Sequence, residues 1–124
     1  MSSVRIMLVD DEPDIVAVFK KGLESKGFQV DVFIDPEEAL EQFKPNLYDC
    51  IVTDIKMPKM NGFQLYRKIK DNDNKVRVIF LTAFDIFEQE AKLVFPDIDP
   101  KSFMKKPVSI DDLAERLMQE TTWS

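Results

Sequence analysis

Tyr48-Asp49-Cys50-Ile51-Val52-Thr53-Asp54 is the stretch on which the fold turns. The run Tyr48–Thr53 is largely apolar and reads as a buried β-strand, and Asp54 stands at its C-terminal mouth. The segment Ile55–Met60 reads as a loop, and Asn61-Gly62 as a helix start. A carboxylate at the end of a buried strand is costly unless something there uses it. In open parallel α/β sheets that edge is where ligands bind. The first apolar run, Val4–Val9, also ends in acids, Asp10 and Asp11. Three acids at strand ends point to a divalent cation and phosphate chemistry.

Working outward, strand and helix patterns alternate along the whole chain. After Val4–Val9, Pro13 sits where proline is best tolerated, at the first helical position. Ile15, Val18, Phe19 and Leu23 follow at helical spacing, and Gly27 can end that helix. Phe28–Phe33 alternates as a strand near a sheet edge does. Asp35-Pro36-Glu37-Glu38 predicts a cap, a first-turn proline and a capping-box acid. Leu40 and Phe43 continue that helix until Pro45. Asn61 caps a helix carrying Phe63, Tyr66 and Ile69. Val76–Leu81 is a fourth strand. Asp85 is expected to cap a helix over Ile86, Phe87, Ala91, Val94 and Phe95, which Pro96 stops. Lys101–Lys105 is a short fifth strand. Ser109 caps a last helix with Ile110, Leu113, Leu117 and Met118 on one face. Five such repeats imply a doubly wound parallel sheet with helices on both faces, and the 124 residues suit one domain, 1–124.

Composition narrows the chemistry. A net charge of −6 argues against a nucleic-acid-binding surface within this chain. There is no histidine, so Ser-His and Cys-His nucleophilic systems and imidazole-based zinc sites are excluded. The three glycines draw neither a dinucleotide loop nor a P-loop. The single cysteine, Cys50, reads as a small buried hydrophobe. No signal peptide and no apolar run of membrane-spanning length is present, so the cytoplasm is the expected location and no membrane partner is expected.

Polar groups close four strand ends: Asp10 and Asp11, Asp54, Thr82, and Lys106 before Pro107. In a parallel sheet these ends share one edge. The ordered set Asp10-Asp11, Asp54-Ile-Lys-Met-Pro-Lys-Met-Asn-Gly62, Leu81-Thr82-Ala83 and Lys106-Pro107 resembles the receiver domain of two-component response regulators, over nearly the whole chain. The resemblance implies a flavodoxin-like (βα)5 fold with strand order 2-1-3-4-5. It implies that Asp54 is the phosphoryl acceptor. Asp11 and Asp54, the backbone carbonyl of Lys56, and Asp10 through a water would hold Mg²⁺ (or Mn²⁺). Thr82 and Lys106 would bind the phosphoryl oxygens, and Lys106 is preferred to Lys105 because strand alternation turns Lys105 to the other face. The Lys106–Pro107 bond is expected to be cis.

The resemblance also implies a switch of Thr82 and Phe103, an aromatic three residues before the lysine. Lys56 and Phe84, each two residues after a site residue, would tune access of water. The expected partners are a sensor histidine kinase or a histidine phosphotransfer protein, and a downstream protein on the face of the fourth helix, fifth strand and fifth helix. A phosphorylation-dependent homodimer is a further expectation. The segment Leu93–Lys101, with Pro96 and Pro100, departs from the small Ala-Gly turn usual there. No output domain is expected after Ser124, and no turnover of a separate substrate.

Each residue alone has a plainer reading. Asp10-Asp11 is commonly a solvated turn, Thr82 a strand-end hydroxyl, Lys106 a surface lysine. A phosphatase of the haloacid dehalogenase kind is the enzyme alternative, but it wants a second acid where Lys56 stands. A flavodoxin-like binder is opposed by Asp10-Asp11-Glu12, and a receiver-like scaffold that is never phosphorylated gains nothing from a filled site.

Overall fold

Five short strands carry the expected alternation into three dimensions. The structure, a computed structural model, describes residues 3–83, 98 and 102–121. In chain order these give β1 (Arg5–Val9), α1 (Pro13–Ser25), β2 (Gln29–Phe33), α2 (Pro36–Gln42), β3 (Cys50–Asp54), α3 (Gly62–Asn72), β4 (Arg77–Thr82), β5 (Phe103–Lys105) and α4 (Ile110–Thr121). The strands form one sheet in the order β2-β1-β3-β4-β5, and every pairing is parallel. The expected fold class and strand order are those observed.

The period of two explains why the central strands read as unbroken apolar runs. Successive side chains point to opposite faces, and here both faces are covered. Met7, Val9, Ile51 and Phe80 pack with Ala39, Leu65 and Ile69, under α2 and α3. Ile6, Leu8, Val52, Ile79 and Leu81 pack with Val16, Leu23, Leu113 and Leu117, under α1 and α4. Each such aliphatic side chain contributes roughly 1.5–3 kcal/mol by leaving water. The two faces therefore supply the cohesion, and the strand ends are left for polar groups.

Local signals place the helices. Pro13 and Pro36 each stand in a first turn. Asp35 accepts a hydrogen bond from the Glu37 N–H at 3.0 Å. Asn61 and Gln64 make a reciprocal capping box at α3. The Asp112 N–H donates to Ser109 Oγ at 3.0 Å. Gly27, with φ of 98°, takes the left-handed turn that ends α1.

Three details differ from expectation. The box expected of Glu38 is replaced by the simple Asp35 cap, and the reciprocal box lies at α3 instead. Val18 is 60% exposed and Val16 is buried in its place. At about 100° of turn per residue, Val18 lies about 200° round the helix from Val16. Met118 is 48% exposed for the same reason, one step off the stripe ending at Leu117. The helix expected over Ile86–Phe95, its stop at Pro96, Phe84, Pro100 and the Lys101 start of the fifth strand lie outside the described residues. Among the described residues no helix is long and apolar enough to cross a membrane.

Candidate functional site

Asp54 is the last residue of β3, and the backbone around it closes tightly. Its Oδ1 accepts from the Ile55 N–H at 2.8 Å. The Ile55 N–H also faces the Leu81 carbonyl, at 3.3 Å, and the Ile55 carbonyl accepts from the Gly62 N–H at 2.8 Å. This brings the first turn of α3 against the strand end. A Cβ on Gly62 would collide with the Asp54 carbonyl oxygen, so only glycine permits the approach. Between them, Lys59 adopts φ of 71° and the Met60 N–H turns back to the Pro58 carbonyl at 2.8 Å.

β1 delivers the second acid. The Asp10 N–H extends the ladder to the Phe33 carbonyl at 3.1 Å. Asp10 Oδ1 accepts from the Glu12 N–H at 3.0 Å, an Asx turn that leads the chain into Pro13. Asp10 Oδ2 is buried and accepts no hydrogen bond among the described residues. Burial is the main cause that pushes the Asp10 carboxyl up to about 6. The Glu12 N–H and the Lys106 charge pull it back, and the charges of Asp54 and Glu12 add to the rise.

β5 delivers the cation. The Lys106 N–H donates to the Thr82 carbonyl at 2.7 Å, so the β4–β5 ladder runs one residue past the strand. The Lys106–Pro107 bond is cis. Lys106 Nζ lies 3.0 Å from Asp54 Oδ2 and 3.7 Å from Asp10 Oδ2. Burial favours the neutral amine, but the hydrogen bond and charge of Asp54, with the charge of Asp10, outweigh it and raise the Lys106 pKa. Lys105 is exposed.

Asp10, Asp11 and Asp54 each offer an oxygen within 4.8 Å of the others. An all-oxygen donor set, with one buried oxygen that accepts no hydrogen bond among the described residues, suits a hard divalent cation. A cavity of about 220 Å³ opens beside it, lined by Asp11, Asp54, Lys56, Thr82 and Lys106 among others. Thr82 is buried. Six of the residues singled out in the sequence thus converge on one edge. Phe103 stands apart from them. Its ring stacks on Phe80 at 5.3 Å and lies 6.2 Å from Phe63, on the face under α3. Phe84 lies outside the described residues. Sequence reasoning did not assign roles to Glu12 and Ile55, which act through backbone N–H groups, or to Gly62, whose signal was a glycine opening a helix.

The profile of the response regulator receiver domain matches residues 6–118. The chain belongs to that family. Receivers are signalling modules of two-component systems, and this one shares their sheet. It is similar to the transcriptional regulatory protein TrcR of Mycobacterium tuberculosis, 33% identical over 94% of this chain and 44% of that protein. It is similar to the transcriptional regulatory protein DltR of Streptococcus agalactiae, 29% identical over 98% of this chain and 53% of that protein. The chain spans about half the length of these curated relatives. Among solved structures, a CheY-like receiver domain protein from Methanospirillum hungatei superposes with a TM-score of 0.86, at 26% identity over 98% of this chain and 95% of that one. A receiver domain protein from Clostridium thermocellum gives 0.81, at 28% identity, over 96% and 94%. The expectation of no nucleic-acid partner was drawn from this chain's own charge; the relatives named as transcriptional regulators are about twice as long.

Proposed function

We propose that this receiver, as one domain of residues 1–124, takes a phosphoryl group onto Asp54 from the phosphohistidine of a sensor histidine kinase or histidine phosphotransfer protein. An Asp54 carboxylate oxygen forms the new P–O bond as the donor's P–N bond breaks, and the electron pair leaves with the imidazole nitrogen. The observation that carries this reading is the approach of Lys106 Nζ to Asp54 Oδ2, 3.0 Å, beside two further carboxylates. A lysine fixed there balances charge on a phosphoryl group held at the strand end. Thr82, lining the same cavity, offers a hydroxyl to a phosphoryl oxygen.

Asp11, Asp54 and the Lys56 carbonyl would hold Mg²⁺ or Mn²⁺, with Asp10 acting through a water. When bound, the ion neutralises charge on the transferring oxygens. The protein's own residues do the rest. The Ile55 N–H orients Asp54, and Lys106 holds its second oxygen. Lys56, at the rim, and Phe84 tune the access of water to the acyl phosphate. No separate substrate is turned over.

The output is a population shift that alters partner binding. Thr82 moves toward the phosphoryl group, and Phe103 responds. In the present state Phe103 already packs inward against Phe80. A downstream protein would read the face of the residue 86–95 segment, β5 and α4, and a phosphorylation-dependent homodimer is a second route. The module acts in the cytoplasm.

The test is intact mass after incubation with acetyl phosphate, with and without Mg²⁺, for wild type and Asp54→Asn. One added phosphoryl group, dependent on metal and absent in the variant, is the expected result. Labelling that persists in Asp54→Asn would overturn the assignment.

A further inference from the structure

At the edge of the sheet opposite Asp54, one cavity is lined by charged groups mostly of the other sign. Arg77 opens β4 at one end and Thr82 closes it at the other. Six residues of strand separate the two edges by roughly 17–20 Å. At the Arg77 end a cavity of about 310 Å³ is lined by Lys70, Asn74, Lys75, Arg77, Ser102 and Glu120, among others. Among the described residues, three cations thus face one carboxylate there, in a chain whose net charge is −6.

These cations are weakly compensated. Arg77 Nη1 reaches Glu120 only at 3.9 Å, and both side chains are partly exposed. Such a pair contributes little. Lys70 and Lys75 form no ion pair among the described residues; Lys70 Nζ instead sits 5.6 Å from the centroid of the Tyr66 ring. Asp71, next to Lys70, is exposed, and Asp73, the nearest acid in sequence to Lys75 and Arg77, has its oxygens held by the N–H groups of Asn46 and Lys75, at 2.9 and 3.0 Å. Lys70 in the last turn of α3 complements that helix's dipole, which accounts for one cation. It does not account for three around a concavity.

We infer that this cavity is a second site of the molecule, one that binds a small anion bearing two or more phosphoryl groups. The guanidinium of Arg77 presents a planar fork suited to phosphate oxygens, and two ammonium groups supply mobile point charges beside it. The Asn74 amide and Ser102 hydroxyl add neutral donors. The volume lies at the small end of the ligand-pocket range, about 300–1,000 Å³, which suits a pyrophosphate group or a compact nucleotide. The site is independent of the chemistry at Asp54.

The experiment is an amide-resolved NMR titration of the whole chain, metal-free, at constant ionic strength. Pyrophosphate is the probe in one arm and ADP in the other. Saturable shifts at Lys70 and across Lys75–Val78 are expected. Lys70→Gln with Lys75→Gln should weaken binding about tenfold, and Arg77→Lys should weaken it less, since charge is kept and only the fork is lost. Circular dichroism checks that the variants fold. Tighter binding of ADP identifies the ligand as a nucleotide, and equal binding shows that the paired phosphates alone are recognised. Shifts that fail to saturate, that scatter over all surface lysines, or that appear only around Lys106 would overturn the inference.

Discussion

Two buried aspartates, Asp73 and Asp10, stand at opposite edges of the sheet and behave in opposite ways. Asp73 is 8% exposed, and its oxygens accept from the Asn46 and Lys75 N–H groups. Its carboxyl is held below the usual range, the Asn46 N–H being the largest cause. Asp10 is 0% exposed, has one oxygen without a hydrogen-bond partner among the described residues, and is pushed up to about 6. The same side chain is thus a structural clamp at one edge and an unsatisfied acceptor at the other. Asp31 repeats the first pattern, accepting from Arg5 Nη2 at 2.8 Å and from the Tyr48 hydroxyl at 2.7 Å. The buried Asp73 and the partly exposed Asp31 are both paired, and both only hold the chain together.

The largest expected effect comes from closing the approach at the acidic edge. Gly62→Ala should destabilise the fold by roughly 1–3 kcal/mol, because the new Cβ meets the Asp54 carbonyl oxygen and backbone must move. Chemical denaturation measures it. A change near zero would mean that the α3 start is free to shift, and that the tight edge is not tight.

Next is the clamp itself. Asp73→Ala should cost about 1–2 kcal/mol by orphaning two N–H groups. Because the folded pKa of Asp73 is lowered, its contribution is present above the ordinary carboxylate value of 3.8 and is lost as pH falls through the lower, folded value. The difference between wild type and variant should therefore shrink in strong acid.

Asp10→Asn should act in the other direction, by about 1 kcal/mol in metal-free protein near neutral pH. A raised folded pKa favours the protonated form. That stability is fully present below 3.8 and is lost as pH rises through about 6. Thermal melting across that window should show the decline in wild type and its absence in the variant. If wild type instead gains stability on passing pH 6, the two aspartates do not differ in kind. The same titration predicts that divalent-cation affinity weakens as pH falls through about 6, readable by calorimetry, since protons compete for the ligand oxygens.

The smallest effect sharpens the structural side. Tyr48→Phe removes one hydrogen bond to Asp31 and should cost about 0.5–1.5 kcal/mol, leaving metal binding unchanged.

Much of this was legible in the chain. The apolar runs of period two, the prolines at helix starts and the Asn61 cap follow from steric and hydrogen-bonding rules that act over a few residues. The acids, threonine and lysine at strand ends were visible because parallel topology sends every strand end to one edge. Helix faces were read less well. Val18 and Met118 are apolar yet exposed, since a single residue of helical phase separates a core position from a solvent one.

The sequence by itself determined the order of elements, the sign of charge at the strand ends and the family. Only the tertiary structure decided which partners each charge meets. Asp10 and Asp73 are chemically identical in the sequence; one is clamped by N–H groups 27 residues and two residues away, the other is left facing Lys106 and Asp54. Desolvation and long-range pairing depend on distances between atoms far apart in the chain. A linear string of residues does not carry those distances until the two faces of the sheet have packed.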